Sequence, residues 1–361
     1  MRSIAIVVPT LVENDAIGND VIAQQRSLAK RGFRVSIYAE RYDRQFRHLV
    51  ARPSDVAKTD ILIYHHGNPW PRGEEILHQH KGPHKILRYH NVTPASFFRD
   101  YAREVADYVQ RGRDQTQSLV QLCSHYFTDS CYNQSDLTAG GARSDRCIVI
   151  PPFTHVEEML EVHADIGTME RMLRTGKRNV LFVGRRVPNK GVHHFVRVAH
   201  AFAAQYGRGV RFTWVGGEDP RLGAYYREID GYVRAHRLGG IVNFAGRVNL
   251  SQLKAYYLTS DVFLSLTEHE GFCVPVVEAQ AVGSPIVALG RAAVPETIGP
   301  DQLVLDEVDY NRFVASLYVL LRRTDFRLEL AERGFTNYRT RFRNATVEED
   351  LINAVEQVVR D

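Results

Sequence analysis

The sequence predicts an α/β protein with two doubly wound, Rossmann-like parallel sheets and a helical tail. Three observations carry this prediction. Short apolar runs rich in β-branched residues alternate with longer amphipathic stretches. The alternation stops at Pro151-Pro152 and begins again at Val180. From about residue 308 to the end, the pattern is helical only. A chain of 361 residues is long enough for two such domains.

In order, Ile4–Val8 reads as a strand stopped by Pro9, and residues 18–31 as a helix ending at Gly32. Strands follow at Phe33–Ala39, Asp60–Tyr64 and Lys85–Tyr89. A helix is expected over 95–121, a strand at Tyr126–Asp129, a helix over 132–139 and a strand at Cys147–Ile150. Residues 153–176 read as a linker helix. Glu157, Glu158, Glu161, Asp165 and Glu170 would form its solvated acidic face. The second alternation has strands at Val180–Val183, Val210–Val215, Ile241–Phe244, Val262–Leu266 and Pro285–Ala288. Helices are expected over 191–206 and around Glu278–Val282. The expected domains are 1–151, a linker region 152–177, 178–340, and a final helix 341–361 placed to pack back on the first domain.

Composition excludes several classes. Hydrophobic residues make up 44% and charged residues 24%, which are globular values. The net charge of +4 is too small for a dedicated nucleic-acid binder, so no nucleic-acid partner is expected. No apolar run approaches the roughly 18 residues of a membrane span. Ile4–Val8 is too short for a signal-peptide core, so a cytoplasmic protein is expected. Cys123, Cys131, Cys147 and Cys273 form no C-x-x-C pair, which argues against a disulfide framework or zinc ribbon. His65-His66, His78, His80 and His84 lack metal-site spacing and read as loop and surface residues, so no metal is expected; His65-His66 ends a strand, which leaves an acceptor-side role open.

In open α/β sheets, ligands sit beyond the carboxyl ends of the strands. After Val180–Val183 comes Gly184-Arg185-Arg186-Val187-Pro188-Asn189-Lys190-Gly191. Two cations beside a helix start suit a diphosphate. After Val262–Leu266 comes Glu268-His269-Glu270-Gly271-Phe272-Cys273-Val274-Pro275-Val276-Val277-Glu278. Glu270 in the loop can accept bonds from sugar hydroxyls, and Gly271 permits close backbone approach. The amides of Phe272, Cys273 and Val274 would open a helix toward an anion. Glu278, further along it, suits a vicinal diol.

These two runs resemble the retaining GT-B glycosyltransferases of family 4. Phe244-Ala245-Gly246-Arg247, Tyr256-Tyr257 to Asp261, and Val149-Ile150-Pro151 add to the resemblance. It implies a GT-B fold, with the two domains facing across a cleft, and a nucleotide-sugar donor. It further implies that Arg185 and Lys190 grip the diphosphate, with Arg186 as the alternative arginine. Glu270 would bond the donor sugar, joined by the backbone of Gly271 and Phe272, and Glu278 would hold the ribose. Gly246, Arg247 and Val248 would lie against the base through main-chain groups. In the first domain, Gly18 would offer its amide to the diphosphate and His90 would reach the sugar. Cys273 stands where the family often has glycine or serine. It is expected to be an inert thiol lining the donor pocket, with a pKa open to lowering by the helix start.

The resemblance implies transfer with retention and without a metal cofactor. The expected donor is GDP-mannose, ahead of UDP-glucose or a deoxysugar nucleotide. The expected acceptor is lipid-linked or a saccharide, in polysaccharide or glycolipid assembly. Alternatives are a soluble acceptor, or a catalytically silent nucleotide-sugar binder. Residues 26–52 hold eight Lys/Arg and two Asp/Glu. That cluster suits an anionic acceptor or peripheral contact with the cytoplasmic membrane face, with Trp70, Phe97, Phe98 and Tyr101 as interfacial aromatics.

Overall fold

Every strand pairing in the computed structural model is parallel, and the strands form two six-stranded sheets. The structure describes residues 2–12 and 15–360. The chain divides into unit 1 (Met1–Ala95, Asp107–His155 and Phe342–Asp361) and unit 2 (Ser96–Ala106 and Val156–Arg341).

The strands of unit 1 are β1 (Ser3–Leu11), β2 (Arg34–Tyr42), β3 (Ile61–His66), β4 (His84–Tyr89), β5 (His125–Thr128) and β6 (Cys147–Val149). They lie in the order β2-β1-β3-β4-β5-β6. The helices between them are α1 (Ala16–Lys30), α2 (Pro53–Val56), α3 (Pro71–Gln79), α4 (Arg103–Leu122) and α5 (Cys131–Ala139). The central strands are apolar on both faces because helices cover both. Ile4, Ile6 and Val8 of β1 pack with Val21 and Leu28 of α1. Ala5 and Val7, facing the other way, belong to a second cluster with Leu77 of α3 and Leu119 of α4.

Unit 2 begins with two short helices, α6 (Val156–Glu161) and α7 (Ile166–Leu173). Its strands are β7 (Arg178–Val183), β8 (Val210–Val215), β9 (Val242–Gly246), β10 (Val262–Ser265), β11 (Ile286–Leu289) and β12 (Leu303–Leu305). They lie in the order β12-β11-β10-β7-β8-β9. Its other helices are α8 (Val192–Tyr206), α9 (Gly223–Ala235), α10 (Leu250–Leu258), α11 (Val274–Ala281), α12 (Val294–Ile298), α13 (Tyr310–Arg322) and α14 (Thr324–Arg341). The chain winds outward from β7 to β9, returns to β10 beside β7, then winds outward the opposite way. β7 and β10 therefore flank the topological switch point, where the loops leaving them diverge and open a crevice.

Three local expectations are corrected. Residues 153–176 are not a linker helix: Met159 of α6 and Met172 of α7 lie in the core of unit 2. Lys254 Nζ closes the end of α6 by donating to the carbonyls of Leu160 and Val162 at 2.6 and 2.8 Å. Residues 98–102 are not helical; a single turn at Ala95–Phe97 precedes α4. Trp70 and Phe98 are not interfacial, because both are buried. Trp70 Nε1 donates to Glu40 at 2.6 Å while its ring packs on Tyr64.

The last helix, α15 (Asn344–Arg360), belongs to unit 1. Leu351, Val355 and Val358 share one core cluster with Val21 and Leu28 of α1. Lys30–Glu348 and Arg31–Glu356 ion pairs lie along its exposed edge. Exposed pairs contribute little, so apolar burial holds the helix. Leu351→Ala is expected to destabilise unit 1 by about 2–5 kcal/mol in denaturant unfolding. Wild-type stability in that variant would detach α15 from the core.

Candidate active site

The loops leaving β7 and β10 are bound to each other through Asn189. Its carbonyl accepts the amides of Glu268 at 2.8 Å and His269 at 3.3 Å. It also accepts the Thr267 hydroxyl at 3.1 Å, and Asn189 Nδ2 donates to the His269 carbonyl at 3.1 Å. Gly191 follows at φ +73°, and a Cβ there would stand 2.0 Å from the Leu266 carbonyl oxygen. Glycine is required for this approach.

This staple brings Lys190 to Glu270. The two form an ion pair and both side chains are largely buried. Burial pushes the Lys190 ammonium down to about 8; Cys273 opposes the shift and Arg185 adds to it. The Glu270 carboxylate favours the charged form of Lys190.

The two adjacent arginines part company. Arg186 is buried, with ion pairs to Glu218 at 2.7 Å and to Asp230. Its guanidinium lies 3.8 Å from the Phe244 ring centroid and 5.0 Å from that of Tyr226. Arg186 is thus a pillar of the fold. Arg185 is exposed, and its charge acts on Lys190 and Asp219.

After Gly271, the Phe272 carbonyl accepts the Thr297 hydroxyl. Cys273 enters α11 at φ +78°, the left-handed region that favours glycine. Burial raises the Cys273 thiol above its ordinary value, so the helix start does not activate it. Val274 is the first residue of α11, and Glu278 follows one turn later. Glu278 is 3% exposed, and Tyr257 donates its hydroxyl to Glu278 Oε2 at 2.6 Å. Gly246 ends β9 at φ +73°, with its carbonyl accepting the Gly216 amide at 2.9 Å. Arg247 is exposed and lies beside Gly217, while Val248 packs on the core of unit 2.

In unit 1 the structure changes two expectations. The Gly18 amide already donates to Asp15 Oδ2 at 3.0 Å, as part of the cap of α1. An anion there would have to displace Asp15. His90, at the end of β4, is engaged through both ring nitrogens. Nδ1 lies 2.9 Å from Asp129 Oδ2, and Nε2 lies 2.9 Å from His65 Nδ1. With Nδ1–H donating to Asp129, His90 Nε2 is the acceptor for His65 Nδ1–H. Reaching a sugar hydroxyl would break that bond.

Sequence reading missed the rest of this network, and it placed His65, His66 and His80 in loops or at the surface, whereas all three are buried; the first two end β3. Arg88 is buried between Asp20 at 3.3 Å and Asp129 at 3.0 Å, and donates to the Ile150 carbonyl at 2.7 Å. Burial holds the His65 imidazole well below its ordinary value, helped by His90 and Arg88. An arginine inside a strand of apolar residues was the available signal. The eight cations of residues 26–52 are all exposed. Lys30 and Arg31 answer α15, while Arg41, Arg44 and Arg47 line the end of β2 and the turn after it.

Unit 2 thus presents cations beside a helix start at its switch point. Residues 170–336 match the sequence model of the Glycosyl transferases group 1 family. One relative, a phosphatidylinositol N-acetylglucosaminyltransferase component of Arabidopsis thaliana, is 28% identical over 138 residues, covering 38% of this chain and 30% of the relative. A D-inositol 3-phosphate glycosyltransferase of Acidothermus cellulolyticus is 30% identical over 210 residues, covering 56% and 46%. The chain therefore spans less than half the length of these relatives. A sucrose-phosphate synthase from Thermosynechococcus elongatus superposes with a TM-score of 0.77 at 18% identity, covering 100% of both chains. The fold is that of the GT-B glycosyltransferases.

The division between the arginines is testable. Arg186→Ala is expected to lower stability by roughly 1–3 kcal/mol, through lost ring stacking and ion pairs. Arg185→Ala is expected to leave the thermal midpoint unchanged. The reverse pattern would exchange their assignments.

Proposed function

We propose that the chain is a metal-independent, retaining glycosyltransferase. It moves a hexose from a nucleoside-diphosphate sugar to a lipid-linked or saccharide acceptor. The observation that carries this reading is the meeting of Lys190 and Glu270 beside the start of α11, with Arg185 exposed next to them. Two cations and one carboxylate leave an excess of positive charge, which suits a diphosphate. Glu270 would exchange Lys190 for sugar hydroxyls when the diphosphate arrives. Glu278, oriented by Tyr257, would hold the ribose. The bend at Gly246, with Arg247 and Val248, would border the base.

In the reaction, the bond from the anomeric carbon to the diphosphate oxygen breaks, and its electron pair leaves with the diphosphate. The acceptor oxygen bonds that carbon on the same face, and its proton passes to the departing phosphate. Lys190 and Arg185 stabilise the leaving charge, a form of electrostatic preorganisation. GDP-mannose is the first donor to test, followed by UDP-glucose and deoxysugar nucleotides. An anionic acceptor fits the exposed Arg41, Arg44 and Arg47. Phosphatidylinositol and D-inositol 3-phosphate, in the names of the two relatives, are both anionic.

The deciding experiment is a thermal-shift panel of nucleotides and nucleotide sugars, on wild type and Glu278→Ala. Stabilisation by one nucleotide family, lost in the variant, is the expected result. No shift with any nucleotide would sink the donor site. Donor hydrolysis or transfer separates an enzyme from a silent binder.

Lys190→Ala is expected to lower kcat at least roughly 100-fold, and near-normal turnover would remove its assignment. Turnover is expected to survive excess chelator. As pH rises through about 8, Lys190 loses its proton in the unliganded enzyme, so kcat/KM should fall there. A bound diphosphate favours the charged form, so the fall in kcat should come at higher pH. A pH–rate profile checks both.

A further inference from the structure

A second cluster, unused by the donor reading, flanks Lys190 and Glu270. His193 and His194 lie in the first turn of α8, and Glu268 lies in the loop after β10. His193 Nε2 stands 3.4 Å from Glu268 Oε1, and His194 Nε2 stands 3.5 Å from the same oxygen. All three ligand atoms lie within 4.8 Å of one another. A tetrahedral zinc ion with bonds of about 2.0–2.1 Å separates its ligands by about 3.3–3.4 Å. Two of the three edges of such a site are therefore nearly in place.

The outer partners are also present. His193 Nδ1 lies 3.3 Å from the Tyr225 hydroxyl, and His194 Nδ1 lies 2.9 Å from the Tyr310 hydroxyl. Such contacts fix the ring orientation of a ligating histidine. His194 is buried, with its Nε2 facing Glu268. Burial, with His194 beside it, lowers His193 to about 4, so its imidazole is neutral near pH 7. Burial works to raise Glu268, yet the histidines and Arg291 hold it below its ordinary value. Neutral imidazoles and an ionised carboxylate are the forms that bind a metal. His193 and Glu268 are 26% and 30% exposed, which gives an ion a route in and a water a fourth position.

We propose that His193, His194 and Glu268 bind a transition-metal dication, zinc by ligand type. The ion ties the start of α8 to the loop after β10, the two segments that carry Lys190 and Glu270. It is a structural clasp and takes no part in transfer, so the proposal stands apart from the donor reading.

The test uses the full chain, stripped by chelator and titrated with Zn²⁺ or Co²⁺ without donor. One equivalent per chain is expected by calorimetry, with a raised thermal midpoint and the visible absorption of tetrahedral Co²⁺. E268Q and H194N remove ligands while keeping size and polarity. Each should weaken binding by more than the roughly 10–100-fold that loss of an outer partner causes. Tyr310→Phe should fall within that range. No stoichiometric binding by wild type overturns the proposal. So does unchanged affinity in both ligand variants, provided their circular dichroism matches wild type.

Discussion

The chemistry of unit 2 rests on one backbone constraint, the binding of Asn189 to the loop after β10. Four hydrogen bonds from one residue leave the two loops little freedom. Gly191 completes the constraint, because any side chain there would collide with Leu266. Lys190 sits between these two fixed points and so is directed at Glu270. Neither loop could hold this geometry alone. The switch point supplies the proximity, since β7 and β10 are neighbours in the sheet but 79 residues apart from Val183 to Val262.

The charges at this point are arranged by what surrounds them. Arg186 turns inward, where two carboxylates and two rings hold it. Arg185, its neighbour, is left in solvent. Lys190 is dry enough for its ammonium to be weakened, yet it retains an anionic partner. An incoming diphosphate would replace one carboxylate with two or more charged oxygens. Preorganised cations in a poorly hydrated place gain most from such an exchange.

Much of this was legible in the sequence. β-branched runs marked the buried parallel strands, because strands covered on both faces must be apolar throughout. The loop motifs were legible because glycine and adjacent charges at strand ends have few other uses. Elements with weak patterns were missed, such as β12 with three residues, and α6 and α7 were read as one helix. Arg185 and Arg186 were indistinguishable, since Glu218 after β8, α9 and β9, all further along the chain, decide which one is buried. His193 and His194 were not singled out within the helix expected over 191–206, because the partner carboxylate lies 74 residues further on, from His194 to Glu268. The covering of α1 by α15 depends on packing and not on local pattern, so it was expected from the resemblance alone.

The network around His90 limits what unit 1 can contribute to sugar recognition. A hydroxyl donating to His90 Nε2 would leave His65 Nδ1–H without its acceptor. His65 is fully enclosed, and an unsatisfied buried donor costs about 1–3 kcal/mol. That is comparable with what one sugar hydrogen bond returns, so the exchange gains little. Asp129 reinforces the same arrangement by fixing the His90 proton on Nδ1, which leaves Nε2 an acceptor. The leaving-group side of the proposed reaction therefore rests chiefly on unit 2, where Arg185 is already exposed and Lys190 exchanges one anionic partner, Glu270, for another.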